Sequence, residues 1–152
     1  MEIDYSKIKV IGFDADDTLW VNETYFREAE EEVGRLLSHY ETPNKIDQEL
    51  FKMEMKNLST YGYGVKGFVL SMVELAIDLS NGQVSNSIIS KILNIGKDMI
   101  NKPIELLDGV EDVLIELSKR YRLIVATKGD LLDQERKLEK SGLLQYFHHI
   151  EV

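Results

Sequence analysis

Two short apolar runs, each stopping abruptly at a polar cluster, constrain this chain more than any other feature. The first holds Ile8, Val10, Ile11 and Phe13, broken only by Lys9 and Gly12, and ends at Asp14-Ala15-Asp16-Asp17-Thr18. So short and so apolar a run predicts a buried strand that delivers carboxylates to the edge of a sheet. The second, Arg122-Leu123-Ile124-Val125-Ala126-Thr127, predicts another buried strand, and Phe147 to Val152 begins a third. A helix through Val110, Val113, Leu114 and Leu117, with Asp108 as its N-cap, precedes the second strand. A further helix, Leu131 to Lys140, capped by Asp130 and closed by Gly142, follows it. Strand alternating with helix predicts an α/β fold with a doubly wound parallel sheet.

The intervening stretch has a different period. From Glu23 to about Tyr40, the apolar residues Phe26, Ala29, Val33, Leu36, Leu37 and Tyr40 recur at three and four, and the acidic run Glu28 to Glu32 reads as a solvated face. Beyond Thr42-Pro43, Ile46, Leu50, Met53 and Met55 predict a second helix, broken at Tyr61-Gly62-Tyr63-Gly64. Val65 to Leu79 predicts a third, apolar enough to be largely buried, and Asn81-Gly82 stops it. Ser85 caps a fourth that carries Ile88, Ile89, Ile92, Leu93, Ile95 and Met99. Four helices with short links predict a small bundle. The expected organisation is a discontinuous core, residues 1–20 plus 103–152, with an all-helical insert at 21–102.

Composition narrows the chemistry. With 18 basic and 27 acidic side chains the net charge is -9, which disfavours nucleic acid and anionic membrane surfaces as partners. No cysteine is present, so disulfides, thiolate catalysis and Cys-bound zinc are excluded, and His39 with His148-His149 makes a poor ligand set. Any metal must be held mainly by oxygen. No run approaches the length of a membrane span and the N-terminus lacks a basic start, so the expected location is cytoplasmic.

Ligands in open α/β sheets sit beyond the carboxyl ends of the strands, where both polar clusters fall. Asp14 and Asp16, two positions apart on a chain leaving a strand, can be aimed into one pocket. A carboxylate at Asp14 can attack phosphorus, while a protonated Asp16 can donate to the leaving oxygen and later take a proton from water. Crowded carboxylates repel a phosphate dianion, and Mg²⁺ resolves the conflict. Asp14 and the backbone carbonyl of Asp16 can supply two of its oxygen ligands. The Thr127 hydroxyl and the amides of Lys128 and Gly129 can hold the phosphoryl oxygens.

Phe13-Asp14-Ala15-Asp16-Asp17-Thr18-Leu19, then a helical insert, then Leu123-Ile124-Val125-Ala126-Thr127, resembles the haloacid dehalogenase-like (HAD) superfamily of phosphohydrolases. The resemblance implies a Rossmann-like core with a C1-type helical cap. It implies Asp14 as nucleophile, Asp16 as acid/base, Thr127 as a phosphate ligand, and a small phosphorylated metabolite as substrate. The dehalogenase branch of the family lacks the second Asp, so Asp16 favours phosphate chemistry. A phosphomutase, or an inactive phosphate-binding or interaction module, is the alternative.

Two of the family's motifs are not found. Its third is a Lys that neutralises the aspartyl-phosphate, and Lys137 and Lys140 come too early for it, on the helix between the strands. Its fourth, an acidic pair completing the Mg²⁺ site, has no counterpart in residues 128–152. The expectation is a molecule shortened at its C-terminus, whose complete form exceeds 17.5 kDa and is the competent enzyme. Four further residues are expected near substrate. Trp20 follows the first motif where the family has a mobile flap, and Tyr61, Tyr63 and Lys66 lie in the Gly-rich break of the helical insert.

Overall fold

The computed structural model describes residues 5–152 and divides into two compact units, Met1–Asn22 with Pro103–Val152, and Glu23–Lys102. Among the described residues no helix is long and apolar enough to cross a membrane.

The α/β unit is built on a parallel three-stranded sheet in the order β1 (Val10–Phe13), β2 (Arg122–Ala126), β3 (Phe147–Glu151). Register pairs Ile11 with Leu123 and Phe13 with Val125, and continues from Leu123 to Phe147 and from Val125 to Ile150. Side chains alternate along β1 and β2, and a bulge that inserts one extra residue into β3 after Phe147 lets Phe147 and Ile150, three apart, turn to the same core face as the other four. That face joins a core with Leu114, Leu138 and Leu143. Leu114 lies on α5 (Val110–Ser118) and Leu138 on α6 (Leu131–Lys140). Because Leu114 and Leu138 share this one core, both helices lie on the same side of the sheet, as two crossovers in one direction along a parallel sheet favour.

The other face carries Val10, Gly12, Arg122 and Ala126, all exposed. Burial in β1 therefore alternates, with Val10 48 % exposed, where the sequence predicts a continuously buried strand. The reason is that β1 pairs only with β2 among the described residues and is covered on one side alone. The start of α5 also differs from expectation. Asp108 does not cap it; Gly109, in the left-handed region at φ 78°, occupies the cap position and makes no side-chain cap bond. Asp130 and Ser85 do cap, accepting from the amides of Asp133 and Ile88.

The helical unit comprises α1 (Glu23–Leu37), α2 (Pro43–Tyr61), α3 (Val65–Leu79) and α4 (Asn86–Asn101). α1 and α3 each pack on both α2 and α4, closing a four-helix arrangement. Its core draws Val33 and Leu37 from α1, Ile46 and Leu50 from α2, Phe68, Met72 and Leu75 from α3, and Ile92 and Ile95 from α4. The spacings of three and four place these residues on one stripe of each helix. Met55, read as part of that stripe, is instead exposed, because it lies off the face carrying Leu50, Met53 and Asn57.

Candidate active site

The loops that leave β1 and β2 are tied together by one side chain. Gln134, on the first turns of α6 and only 2 % exposed, donates through Nε2 to Asp16 Oδ2 at 2.8 Å and to the carbonyl of Lys128 at 3.1 Å. Both amide hydrogens thus bridge the acidic loop and the Thr127-Lys128-Gly129 loop. Gly129 makes room for this at φ 133°, since a Cβ there would stand 3.0 Å from Gln134 Nε2. The structure therefore brings Asp16 beside the loop of Thr127, Lys128 and Gly129 at the carboxyl ends of adjacent strands.

Asp16 is the most heavily coordinated side chain of this group. Its Oδ1 accepts from Trp20 Nε1 at 2.8 Å and from Lys137 Nζ at 2.9 Å, while Oδ2 takes the Gln134 bond. Lys137 Nζ also donates to Asn22 Oδ1 at 2.9 Å, and the Asn22 amide donates to Asp17 Oδ1 at 2.9 Å. Lys137, which sequence position alone separates from the site, is thus joined to it through its helix. Gln134, also unforeseen, lies one helical turn earlier on the same face. Its Oε1 is buried with no hydrogen-bond partner.

Asp14 is placed differently. It is exposed at the end of β1 and accepts a long 3.4 Å bond from the Thr18 hydroxyl. The backbone turns back behind it: the amides of Thr18 and Leu19 both donate to the Ala15 carbonyl, and Asp17 adopts φ 56°. Trp20 is 1 % exposed and packs in the core of the α/β unit, so its indole supports Asp16 from behind. The Thr127 amide donates to the Glu151 carbonyl at 3.0 Å, anchoring that loop to β3, and its hydroxyl donates to the Lys128 carbonyl at 3.3 Å.

The donor set suits a hard cation. Among the described residues no three His, Asp or Glu side chains gather into a cage. An exposed Asp14 carboxylate and the Asp16 backbone carbonyl are the kind of partial oxygen set that Mg²⁺ accepts, with water and phosphate supplying the rest. Both Asp16 carboxylate oxygens already face N–H donors.

Tyr61, Tyr63 and Lys66 lie in the helical unit at the α2–α3 junction, and all three side chains are exposed. The Tyr61 hydroxyl donates to Glu74 at 2.6 Å, and Asn57 donates to the other oxygen of Glu74 at 3.1 Å. The Glu74 hydrogen bond raises the Tyr61 phenol above its ordinary range, and the same bonds hold the Glu74 carboxyl below its own.

Comparison with known proteins agrees with this architecture. N-acylneuraminate-9-phosphatase of Homo sapiens is 27 % identical over 97 % of this chain, and that of Mus musculus is 28 % identical over the same share. The chain spans 62 % of the length of these curated relatives. A crystal structure of a haloacid dehalogenase-like family hydrolase from Xanthomonas campestris superposes with a TM-score of 0.89 at 39 % identity, over all of this chain and 64 % of that one. The L-2-haloacid dehalogenase of Xanthobacter autotrophicus shares the fold, with a TM-score of 0.58 at 14 % identity over 95 % of this chain and 56 % of that one. The family model for haloacid dehalogenase-like hydrolases matches residues 8–152, nearly the whole sequence, and this chain belongs to that family.

Proposed function

We propose that the protein hydrolyses a small phosphate monoester through an aspartyl-phosphate on Asp14, with Mg²⁺ as cofactor. The observation that carries the reading is the pair of hydrogen bonds that Gln134 Nε2 donates to Asp16 and to the Lys128 carbonyl, which joins the two strand-end loops. Asp14 stands exposed where a nucleophile must meet its substrate, and the bonds from Trp20, Lys137 and Gln134 fix the orientation of Asp16, the candidate acid/base. The Thr127 hydroxyl and the amides of Lys128 and Gly129 would take the phosphoryl oxygens. When bound to Asp14 and the Asp16 carbonyl, Mg²⁺ would offset the charge of carboxylate and phosphate together. The relatives are named for an N-acylneuraminate 9-phosphate substrate, and a phosphorylated sugar acid is the first natural compound to try.

The test is phosphate release from 4-nitrophenyl phosphate with and without Mg²⁺, by the chain encoded in the native gene and by its Asp14→Asn variant. The expected result is Mg²⁺-dependent turnover that falls at least about 10³-fold in the variant. Turnover that survives Asp14→Asn would remove the nucleophile assignment.

A further inference from the structure

Lone pairs on Asp16 are not used evenly. A carboxylate has about four acceptor positions, two on each oxygen. Oδ1 receives two donors, Trp20 Nε1 and Lys137 Nζ, whereas Oδ2 receives one, Gln134 Nε2. The amide orientation of Gln134 is fixed by its surroundings, since turning it over would set Oε1 against two oxygens, Asp16 Oδ2 and the Lys128 carbonyl. This orientation leaves Oε1 buried and without a partner, an arrangement that stability alone disfavours. A polar side chain kept at such a position is explained by what its nitrogen holds.

We propose that Gln134 and Lys137 are positioning residues for proton transfer: Lys137, together with Trp20, saturates Oδ1 of Asp16 as an anchor, and Gln134 orients Oδ2, whose remaining lone pair exchanges the proton. The inference rests on the phosphate-monoester reading above. In the first step a bond forms between an Asp14 oxygen and phosphorus, the bond from phosphorus to the ester oxygen breaks, and that oxygen takes the proton from Asp16 Oδ2. In the second, water attacks phosphorus and gives its proton to Oδ2. The bond to Asp14 breaks, and inorganic phosphate leaves. Lys137 adds a second function by joining Oδ1 to Asn22, the last residue of the α/β unit before the helical one begins.

Leaving-group dependence tests this, because a phenolate that departs readily needs little help from an acid. We expect Gln134→Met and Lys137→Met to lower kcat/KM for phenyl phosphate at least about tenfold more than for 4-nitrophenyl phosphate, within the range general acids supply. Lys137→Arg should recover most of the loss. Should Gln134→Met melt below the assay temperature, the Lys137 pair, at a partly exposed position, carries the test alone. Equal losses on both esters, or no loss on either, overturn the inference while leaving the phosphatase reading intact. If Asp14→Asn retains wild-type turnover, it is the underlying reading that falls.

Discussion

The helical unit and the α/β unit put their polar groups to opposite uses. In the helical unit the buried polar side chains are paired inward: Asn57 donates to Ser71 at 3.2 Å and to Glu74, closing a network between α2 and α3. In the α/β unit the buried Gln134 faces outward to two loops and leaves an acceptor unsatisfied. Strain follows the same division. The left-handed Asn81 and Gly82 make a link between helices, whereas Asp17 and Gly129 sit in the two loops of the candidate site. Backbone in sparsely populated regions persists where surrounding structure over-determines it. One region is thus organised for packing, and the other yields packing quality to geometry at strand ends.

The contrast breaks most readily at Met72, fully buried between helices. Met72→Ala should destabilise the protein by about 2–5 kcal/mol in urea titration, as truncation in a closed core does. A loss under about 1 kcal/mol would show a looser core than described. Next is Gly129→Ala, which forces a side chain onto φ 133° and against Gln134. The expected destabilisation is about 1–3 kcal/mol, with turnover lost in greater proportion than the melting shift explains.

The third concerns pH. Burial, reinforced by Glu30, Asp47 and Glu23 and opposed by Arg27, pushes the Glu54 carboxyl up to about 7. The folded state then holds this proton more tightly than the unfolded chain, so the Glu54 contribution weakens as pH rises from about 4.5 to about 7 and is level above that. Unfolding free energies from urea titration at pH 5 and pH 8 should differ by about 1–2 kcal/mol more in the wild type than in Glu54→Gln, once solvent screening is allowed for. Equal slopes would contradict the burial. The smallest effect is expected at Val10, on the exposed sheet face. In the 152-residue chain, Val10→Ala should change stability by less than about 0.5 kcal/mol, and a loss as large as that at Met72 would erase the comparison.

Much of this was legible in the residues. The abrupt end of the Ile8–Phe13 run at alternating aspartates located the first loop, because few other patterns place two carboxylates on a chain leaving a strand. Asp130 and Ser85 were readable as caps since their role is local. What was not legible was the face of α6. Leu131 and Leu132 advertise an apolar start, yet both are exposed, while Asp133 and Gln134 are buried. The direction in which Gly129 and Asp130 launch the helix decides this, and hydrophobicity does not record it. Counting back from the buried Leu138 would have helped, because Gln134 lies four residues before it on the same face. By sequence Lys137 comes too early, on the helix between the strands, to be the family's third-motif lysine, and nothing local links it to Asp16. A helix folding back over the strand it follows supplies the link, and 121 residues of separation close to 2.9 Å.

Because a single amide nitrogen grips both strand-end loops, the length of the turn between Thr127 and Asp130 becomes a quantity the fold cannot change freely. Adding one residue there would rotate the helix by about 100° and bring Asp133 toward the place of the amide; removing one would bring Glu135. Either neighbour is an acid, and would meet Asp16 with repulsion where it now finds a donor. The helix therefore acts as a gauge for the opening above it, calibrated by side chains that never need to touch what enters.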